Sequence, residues 1–253
     1  ERPLLITAYA GRNRAVPALL DELARFAGIQ VIEFNPLYMN LAHDSPCHGG
    51  FAPAKALAEA DVGLMVDVDV PWIPSDMPDN PSTWWAQIDV DAEKRNFPMW
   101  TFPGNLRLQG DSHLVLSALL AALKEKADTG FKSLAAARVA RYAEAGTARR
   151  EQAAKIAANR GMPGQINPHY VCATVAKALQ PGDIVLNEAI RNGPVVFAQM
   201  PRTRPGTLVG LAGGGLGFSG GMALGLKLAE PARTVVQIVG DGTFYFSNPN
   251  RAL

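Results

Sequence analysis

The chain has 253 residues, enough for one large or two ordinary domains, and its 24 Lys and Arg residues nearly balance its 23 Asp and Glu residues. This balance excludes a global electrostatic field that would attract nucleic acid or an anionic membrane, so a small-molecule or protein partner is expected. Cys47 and Cys172 are far apart and lack metal-ligand spacing, which argues against structural zinc and a disulfide framework. The sequence has neither an apolar run long enough to span a bilayer nor a signal sequence, which predicts a cytoplasmic protein.

The first half of the chain alternates apolar strands with amphipathic helices, which is the pattern of a parallel sheet flanked by helices. Gly11 opens the first helix and Gly28 ends it, as expected where the chain reverses around a helix. The predicted strands cover residues 3–8, 29–34, 62–68, 84–90 and 105–109, and the predicted helices cover residues 14–27, 53–60 and 112–126. The sequence therefore predicts a doubly wound α/β domain over residues 1–126.

The polar residues of this domain do not indicate an active site. His43 and His48 lie in a loop that ends in glycines, with neither the helical spacing of metal ligands nor the arrangement of a nucleophile, so no catalytic role is predicted for them. Asp67 and Asp69 flank a strand end, where acids are more often solvated or capping than bound to metal. The turn after the first strand contains a single glycine, Gly11, so a dinucleotide fingerprint is absent there.

The composition changes at about residue 127 to Ala, Arg, Lys and Gln, which predicts a solvated helix. Glu144 and Glu151 interrupt its basic residues, so it is not a polybasic patch for nucleic acid. The sequence Gly161-Met162-Pro163-Gly164 then breaks the helix. Residues 127–165 are therefore predicted to be a helical linker, followed by a second α/β domain over residues 166–253. That domain has a predicted helix at 169–179 and predicted strands at 184–186 and 234–239.

The most informative segment combines a glycine-rich loop at 213–218, a helix to Ala229, the strand at 234–239, and the sequence Gly240-Asp241-Gly242-Thr243. Glycines let the backbone approach a ligand closely, and an acid at the carboxyl end of a buried parallel strand lies where open α/β sheets bind ligands. A carboxylate there can bind Mg²⁺, which usually shares its oxygen ligands with phosphate. The segment therefore predicts a site for a diphosphate and its metal.

Two other interpretations of the same residues remain open. A G-x-G-x-x-G sequence begins at Gly215, and Asp241 follows its end by about 20 residues, as in the dinucleotide-binding unit of an NAD(P)-dependent oxidoreductase. Against that interpretation, Gly240 and Gly242 bracket Asp241, which a ribose-binding acid does not need but which leaves the backbone free to wrap around a cation. The third interpretation is a ligand-free structural turn in a non-catalytic domain that keeps this fold.

The order of glycine loop, helix, strand and Gly-Asp-Gly resembles the cofactor-binding domain of thiamine diphosphate (ThDP) enzymes of the acetolactate synthase and benzoylformate decarboxylase family. Residues 228–244 are similar to that family without a break. The resemblance implies a central domain followed by the first half of the diphosphate-binding domain, with ThDP and Mg²⁺ as cofactors. It also implies a decarboxylase or carboligase acting on a 2-oxo acid. Some relatives bind a flavin or ADP in the central domain, for which this sequence gives little support.

The resemblance also implies roles for individual residues. Leu216 matches the apolar wedge that bends the cofactor, the backbone carbonyl of Gly214 matches the acceptor for its amino group, and Asp241 matches the Mg²⁺ ligand. The other residues implied to bind the cofactor are Asn187, Glu188, Ile190, Arg191, Gly215, Gly240, Gly242 and Thr243. Ile190 and Arg191 replace hydroxyl residues of benzoylformate decarboxylase, and Arg191 is expected to pair either with an anionic group of the cofactor or substrate or with Glu188.

Parts of the implied active enzyme would lie outside the chain. In the family, the glutamate that activates the cofactor belongs to an amino-terminal domain, and a second metal-binding loop follows farther beyond Asp241 than Leu253. The chain is therefore predicted to be an internal fragment, inactive alone and without a catalytic residue of its own. Because the family holds the pyrimidine ring and the diphosphate on different subunits, a homodimer or homotetramer is expected.

Overall fold

The computed structural model describes residues 1–97, 102–210 and 215–246. The chain forms two compact units, one of residues 1–36 and 40–146 and the other of residues 37–39 and 147–253. Within the described ranges, no helix combines the length and the hydropathy that crossing a membrane requires.

The described residues of the first unit form six strands, a short 3-10 helix at Ala10–Arg12 and three α-helices, followed by the start of a long fourth α-helix. The strands are β1 (Pro3–Thr7), β2 (Gln30–Glu33), β3 (His48–Gly50), β4 (Val62–Val66), β5 (Trp84–Asp89) and β6 (Leu106–Gln109). The helices are α1 (Val16–Ala27), α2 (Ala54–Glu59), α3 (Ser112–Lys126) and α4 (Thr129–Ala158). The strands form one parallel sheet in the order β3-β2-β1-β4-β5-β6, so the strand order reverses between β1 and β4.

Both faces of this sheet are buried. Successive side chains of a strand point to opposite faces, so each strand contributes to the packing on both. Leu5 of β1 packs with Leu20 of α1 on one face, whereas its neighbour Ile6 packs with Leu57 of α2 on the other. The strands consequently read as continuous apolar runs rather than as alternating ones, as expected for a parallel sheet covered on both sides. The predicted doubly wound parallel sheet is confirmed.

Two glycines of this unit are required by close approach of other atoms. A Cβ at Gly63 in β4 would lie 2.2 Å from the ring of the fully buried Trp85 in β5. Gly28 ends α1 with a φ of 62°, and a Cβ there would lie 2.8 Å from the backbone of Ala135. The first glycine makes room for an aromatic ring on the sheet, and the second allows the left-handed turn at the helix end.

The second unit contains a three-stranded parallel sheet and a short antiparallel hairpin. The hairpin strands are β7 (Gly161–Met162) and β8 (Gln165–Ile166), and the sheet strands are β9 (Ile184–Glu188), β10 (Leu208–Val209) and β11 (Val235–Val239). The helices are α5 (Pro168–Ala178), α6 (Gly193–Gln199), α7 (Ser219–Ala229) and α8 (Asp241–Phe246). The sheet order is β10-β9-β11, and a core of apolar residues that includes Val185, Val196 and Leu208 holds it together.

The predicted strands and helices are present with small shifts at their ends, and the described structure adds elements that were not predicted, among them β3, the hairpin strands β7 and β8, α6 and β10. β3 has only three residues and contains a histidine and two glycines, so it shows no apolar pattern. β10 has only two residues, and α6 begins with Gly193 and Pro194, which read as a loop. Pairing with a neighbouring strand, rather than local sequence preference, defines both short strands.

Candidate cofactor site

The candidate site lies at the carboxyl edge of the second sheet. β9 and β11 are hydrogen-bonded neighbours, and their last residues, Glu188 and Val239, are paired in register. The loop that follows β9 and the Gly-Asp-Gly turn that follows β11 therefore leave the sheet side by side. β10 and β11, which follow β9 in the chain, lie on opposite sides of it, so the strand order changes direction at β9. Open α/β sheets bind ligands at the carboxyl edge beside such a point.

Glu188 joins the glycine loop to this edge. Its side chain is 1% exposed, and its carboxylate accepts hydrogen bonds from the backbone N–H groups of Gly217 at 2.5 Å, Phe218 at 3.2 Å and Ser219 at 3.1 Å. The Ser219 hydroxyl also donates to it, and Gln237 donates to that hydroxyl oxygen at 2.6 Å. A carboxylate at the end of β9 thus binds the amide groups of the turn that leads into α7 and of its first residue, Ser219, where a negative charge is favoured by the helix dipole.

This geometry gives Glu188 a different place from the one its motif implied. Its carboxylate is buried beneath the loop and already occupied by four donors, and its negative charge would repel a diphosphate. The structure therefore supports Glu188 as the residue that orders the loop, and it gives no support for contact of its side chain with a cofactor. Ser219 and Gln237, which complete the arrangement, were missed by the sequence analysis. Gln237 is the only polar residue in the strand Val-Val-Gln-Ile-Val. A polar residue inside an apolar strand indicates a buried hydrogen bond, and this was the sequence feature that could have identified it.

The described part of the glycine loop leaves open space beside its backbone. Gly215 and Leu216 are exposed, Leu216 to 40%, and a Cβ at Gly215 would meet no atom within 4 Å. Gly217 has a φ of 93°, a left-handed conformation that favours glycine. Gly214, which was predicted to bind the cofactor through its carbonyl, lies outside the described residues. The exposed Leu216 is consistent with a side chain that contacts a ligand rather than the core.

The Gly-Asp-Gly turn carries the candidate metal ligand. Asp241 is the first residue of α8 and is exposed, and a Cβ at Gly242 would meet no atom within 4 Å. The Thr243 side chain is nearly buried, and a Cβ at Gly240 would lie 3.7 Å from its hydroxyl oxygen. An accessible carboxylate next to an unobstructed backbone fits a hard cation and the phosphate oxygens that share it. The donor set present therefore fits Mg²⁺ and a diphosphate.

The loop after β9 divides into a buried and an exposed part. Asn187 is 3% exposed and shapes the turn, because its side-chain oxygen Oδ1 accepts a hydrogen bond from the N–H of Ala189 at 3.1 Å. Ile190 is 58% exposed, and Arg191 is also at the surface. In the described structure, Glu188 is bound to α7 and no ion pair links it to Arg191. Pairing of Arg191 with an anionic group of the cofactor or substrate stays a prediction.

The strand order argues against the dinucleotide interpretation. In a dinucleotide-binding unit, the strand before the glycine loop and the strand that ends in the ribose-binding acid are neighbours. Here β9 lies between β10, which precedes the loop, and β11, which leads to Asp241. At the start of α7, which would face a pyrophosphate, the amide group of Ser219 is bound to Glu188. The G-x-G-x-x-G spacing is therefore not in a dinucleotide-binding geometry.

The first sheet has a polar cluster at its own carboxyl edge, which the sequence analysis did not identify as a network. The Tyr9 hydroxyl donates to Asp89 at 2.7 Å, and Lys94 donates to Asp89 at 2.9 Å and to Asp69 at 2.6 Å. Burial and hydrogen bonding to Asp89 raise the pKa of Tyr9 above its ordinary value. Burial by itself would lower the pKa of Lys94, but hydrogen bonds to Asp69 and Asp89 outweigh it and raise that pKa.

This network closes the edge of the first sheet with the chain's own side chains. The Asp89 and Lys94 side chains are 1% and 3% exposed, and Asp67 at the end of β4 is fully buried with Arg12 at 3.3 Å. Lys94 and Asp89 are opposite charges in contact and largely buried. The carboxyl edge of the first sheet therefore buries these two charged groups, whereas the carboxyl edge of the second sheet exposes Asp241 and Leu216.

Comparisons with known proteins agree with this placement. Residues 192–252 match the family model described as "Thiamine pyrophosphate enzyme, C-terminal TPP binding domain". The fold is similar, with a TM-score of 0.70 and 19% sequence identity, to the X-ray structure of a protein provisionally described as a thiamin diphosphate-dependent enzyme isolated from Mycobacterium smegmatis. The match covers 98% of this chain and 46% of that chain, so this chain spans about half the length of that structure.

The matched segment contains the glycine loop from Gly215, the following helix and strand, and Asp241, whereas the loop at 187–191 lies outside it. This match supports thiamine diphosphate as the cofactor. At 19% identity, the structural likeness shows that the α/β fold is shared. Residues 192–252 are thus similar to a thiamine pyrophosphate binding domain, and the chain shares the α/β fold of the matched structure.

Proposed function

We propose that this chain is part of a ThDP- and Mg²⁺-dependent enzyme that decarboxylates or ligates 2-oxo acids, similar to acetolactate synthase and benzoylformate decarboxylase. The observation that carries the proposal is the open carboxyl edge of the second sheet. There the glycine loop, tied to β9 through Glu188, meets the exposed Asp241 turn beyond β11. This edge lies largely within the segment that matches a thiamine pyrophosphate binding domain.

The residues of the chain would hold the cofactor rather than carry out the reaction. When bound, ThDP supplies a thiazolium carbanion and an electron sink for the bond-breaking step. Asp241 would hold Mg²⁺, the backbone at Gly240, Gly242 and Thr243 would accommodate the diphosphate, and Leu216 would support the bent cofactor. Arg191 is exposed and would attract an anion of the diphosphate or of the substrate carboxylate.

The proposal includes an assembly in which another subunit contributes to the site. The exposed apolar residues of this edge, Leu216, Phe244 and Phe246 among them, would then contact the second subunit or the cofactor. A glutamate from a different part of the full-length protein would activate the cofactor, and the enzyme would be a homodimer or homotetramer.

The test is ThDP titration of the full-length protein with and without Mg²⁺. Asp241→Asn should weaken Mg²⁺-dependent ThDP binding by at least about 100-fold, because the amide removes the negative charge that binds Mg²⁺, and Mg²⁺ would in turn hold the diphosphate. Glu151→Gln, an exposed acid on α4, is the matched control and should bind normally. Unchanged ThDP affinity in Asp241→Asn would contradict the metal assignment. Saturable NAD(H) binding without any response to ThDP would favour the dinucleotide interpretation instead.

A further inference from the structure

Three buried side chains converge in the first unit, at the carboxyl end of β2. Glu33 ends β2, His48 begins the neighbouring strand β3, and His43 lies in the connection between the strands. The Nε2 atoms of His43 and His48 lie 2.9 Å and 3.0 Å from the same Glu33 oxygen, Oε2. The side chains are 0–4% exposed, and one ligand atom from each lies within 4.8 Å of the other two.

The surrounding residues fix the orientation of these three groups. The second oxygen of Glu33 accepts from the backbone N–H of Asn40 at 2.6 Å and from its side-chain amide at 3.0 Å. The Asn40 amide in turn donates to Ala8 and accepts from the N–H of Gly11. The carboxylate is therefore held by one oxygen, with the other aimed at the two rings. Such outer contacts around a metal ligand are typical of built metal sites.

The histidine rings are also held in place. Their centroids are 4.8 Å apart in a stacked arrangement with an interplanar angle of 27°, and the Phe51 ring meets each of them edge-on at 5.2 Å. This packing holds both rings beside Glu33, with each Nε2 atom within 3.0 Å of Glu33 Oε2. Two imidazole nitrogens and one carboxylate are a donor set that binds zinc in proteins.

The two nitrogen–oxygen distances are close to those between ligands of one coordinated ion. Ligand atoms bonded to one tetrahedral zinc ion at about 2.0–2.1 Å lie about 3.3 Å from each other. The two nitrogen–oxygen separations need to increase by only a few tenths of an ångström to reach that value. A divalent ion would also compensate a carboxylate that is buried in the protein interior, where an unpaired charge is costly.

We propose that Glu33, His43 and His48 form a binding site for a divalent transition-metal ion, with Zn²⁺ as the expected occupant. Three protein ligands leave a fourth position for a water molecule or a small anion. The site would stabilise the connection between β2 and β3 and is separate from the Mg²⁺ site proposed at Asp241. It does not depend on the proposed enzymatic function.

The test measures metal content and affinity in the full-length protein. After removal of bound metal with a chelator, Zn²⁺ titration should give about one tightly bound ion per chain at this site, and Co²⁺ should give the visible absorption of a tetrahedral complex. Glu33→Gln and His48→Gln should each weaken Zn²⁺ binding at least about ten-fold. His48→Gln retains a side chain that can donate a hydrogen bond to Glu33, so a purely hydrogen-bonding role would tolerate it better.

Two controls keep the result specific. His113→Gln changes a partly exposed histidine on α3, and Asp241→Asn changes the proposed Mg²⁺ ligand, so both should leave Zn²⁺ binding intact. Added Zn²⁺ should raise the melting temperature of the stripped wild-type protein, which requires no variant to fold. Absence of stoichiometric Zn²⁺ binding by the wild type would overturn the proposal. Equal Zn²⁺ affinity in the wild type, Glu33→Gln and His48→Gln would overturn it as well.

Discussion

The carboxyl edges of the two parallel sheets differ in how far their polar groups are exposed. In the first unit, Tyr9, Asp89 and Lys94 fill the edge with mutual hydrogen bonds in a largely buried setting. In the second unit, Asp241 and Leu216 remain exposed. The first edge thus uses its charged groups to bind one another, whereas the second leaves a carboxylate available to the ligand proposed for it.

The largest expected effect on stability comes from breaking the closed edge of the first unit. Lys94→Met should lower the free energy of unfolding by about 3–5 kcal/mol, because it leaves the buried Asp89 carboxylate without its cation. Asp69 is 45% exposed and should contribute little to this loss. Urea unfolding followed by circular dichroism measures the change. Lys124→Met, at an exposed pair with Glu22, is the matched control and should cost less than about 1 kcal/mol. Reduced ThDP affinity with unchanged stability in Lys94→Met would show that the edge of the first unit serves ligand binding rather than stability.

Breaking the buried contact beneath the second edge should have a somewhat smaller effect on stability. Glu188→Ala removes the acceptor for the amide groups of residues 217–219, which lead into α7. It should lower the free energy of unfolding by about 2–3 kcal/mol. It should also weaken ThDP binding, because the glycine loop is no longer held against β9. Glu151→Ala on α4 serves as the control. Titration calorimetry and urea unfolding on the same samples separate the two effects, and wild-type values in both would show that the loop does not depend on Glu188.

A pair of glycine substitutions sharpens the contrast between filled and open space. Gly63→Ala should destabilise the chain by about 1–3 kcal/mol, because its Cβ would overlap the Trp85 ring. Gly242→Ala should change stability by less than about 0.5 kcal/mol, since its Cβ meets no atom within 4 Å, but it should weaken ThDP binding. Thermal melts report the first effect and ThDP titration the second. Normal ThDP affinity in Gly242→Ala would indicate that no ligand approaches this turn.

The smallest effect is expected for Leu216→Ala. With the side chain 40% exposed, the substitution should leave stability within about 0.5 kcal/mol of the wild type. If Leu216 supports the bent cofactor, turnover should fall about ten-fold, equivalent to about 1.4 kcal/mol, with a smaller change in ThDP affinity. Steady-state kinetics and ThDP titration of the full-length protein measure the two quantities. An equal loss in both would indicate a simple binding contact.

The sequence predicted those features that depend on local pattern. Apolar runs separated by glycines located most strands of the first unit, and the Gly-Asp-Gly turn located the exposed acid of the second. Features that depend on strand pairing were not predictable in this way. His43 and His48 meet Glu33 only because the three-residue strand β3 pairs with β2. In the same way, Glu188 reaches the start of α7 across 29 residues of chain, a contact that spacing alone does not indicate.

The hydrogen bonds from Glu188 also bear on the entropy of cofactor binding. Fixing the backbone of one residue costs about 1–2 kcal/mol at room temperature, and a free glycine loses more conformational freedom than other residues. At Gly217, Phe218 and Ser219 this loss occurs when the chain folds, because their amide groups are already bound to Glu188. A ligand arriving at the loop therefore meets a backbone that is already ordered, and its affinity is not reduced by the cost of ordering these three residues.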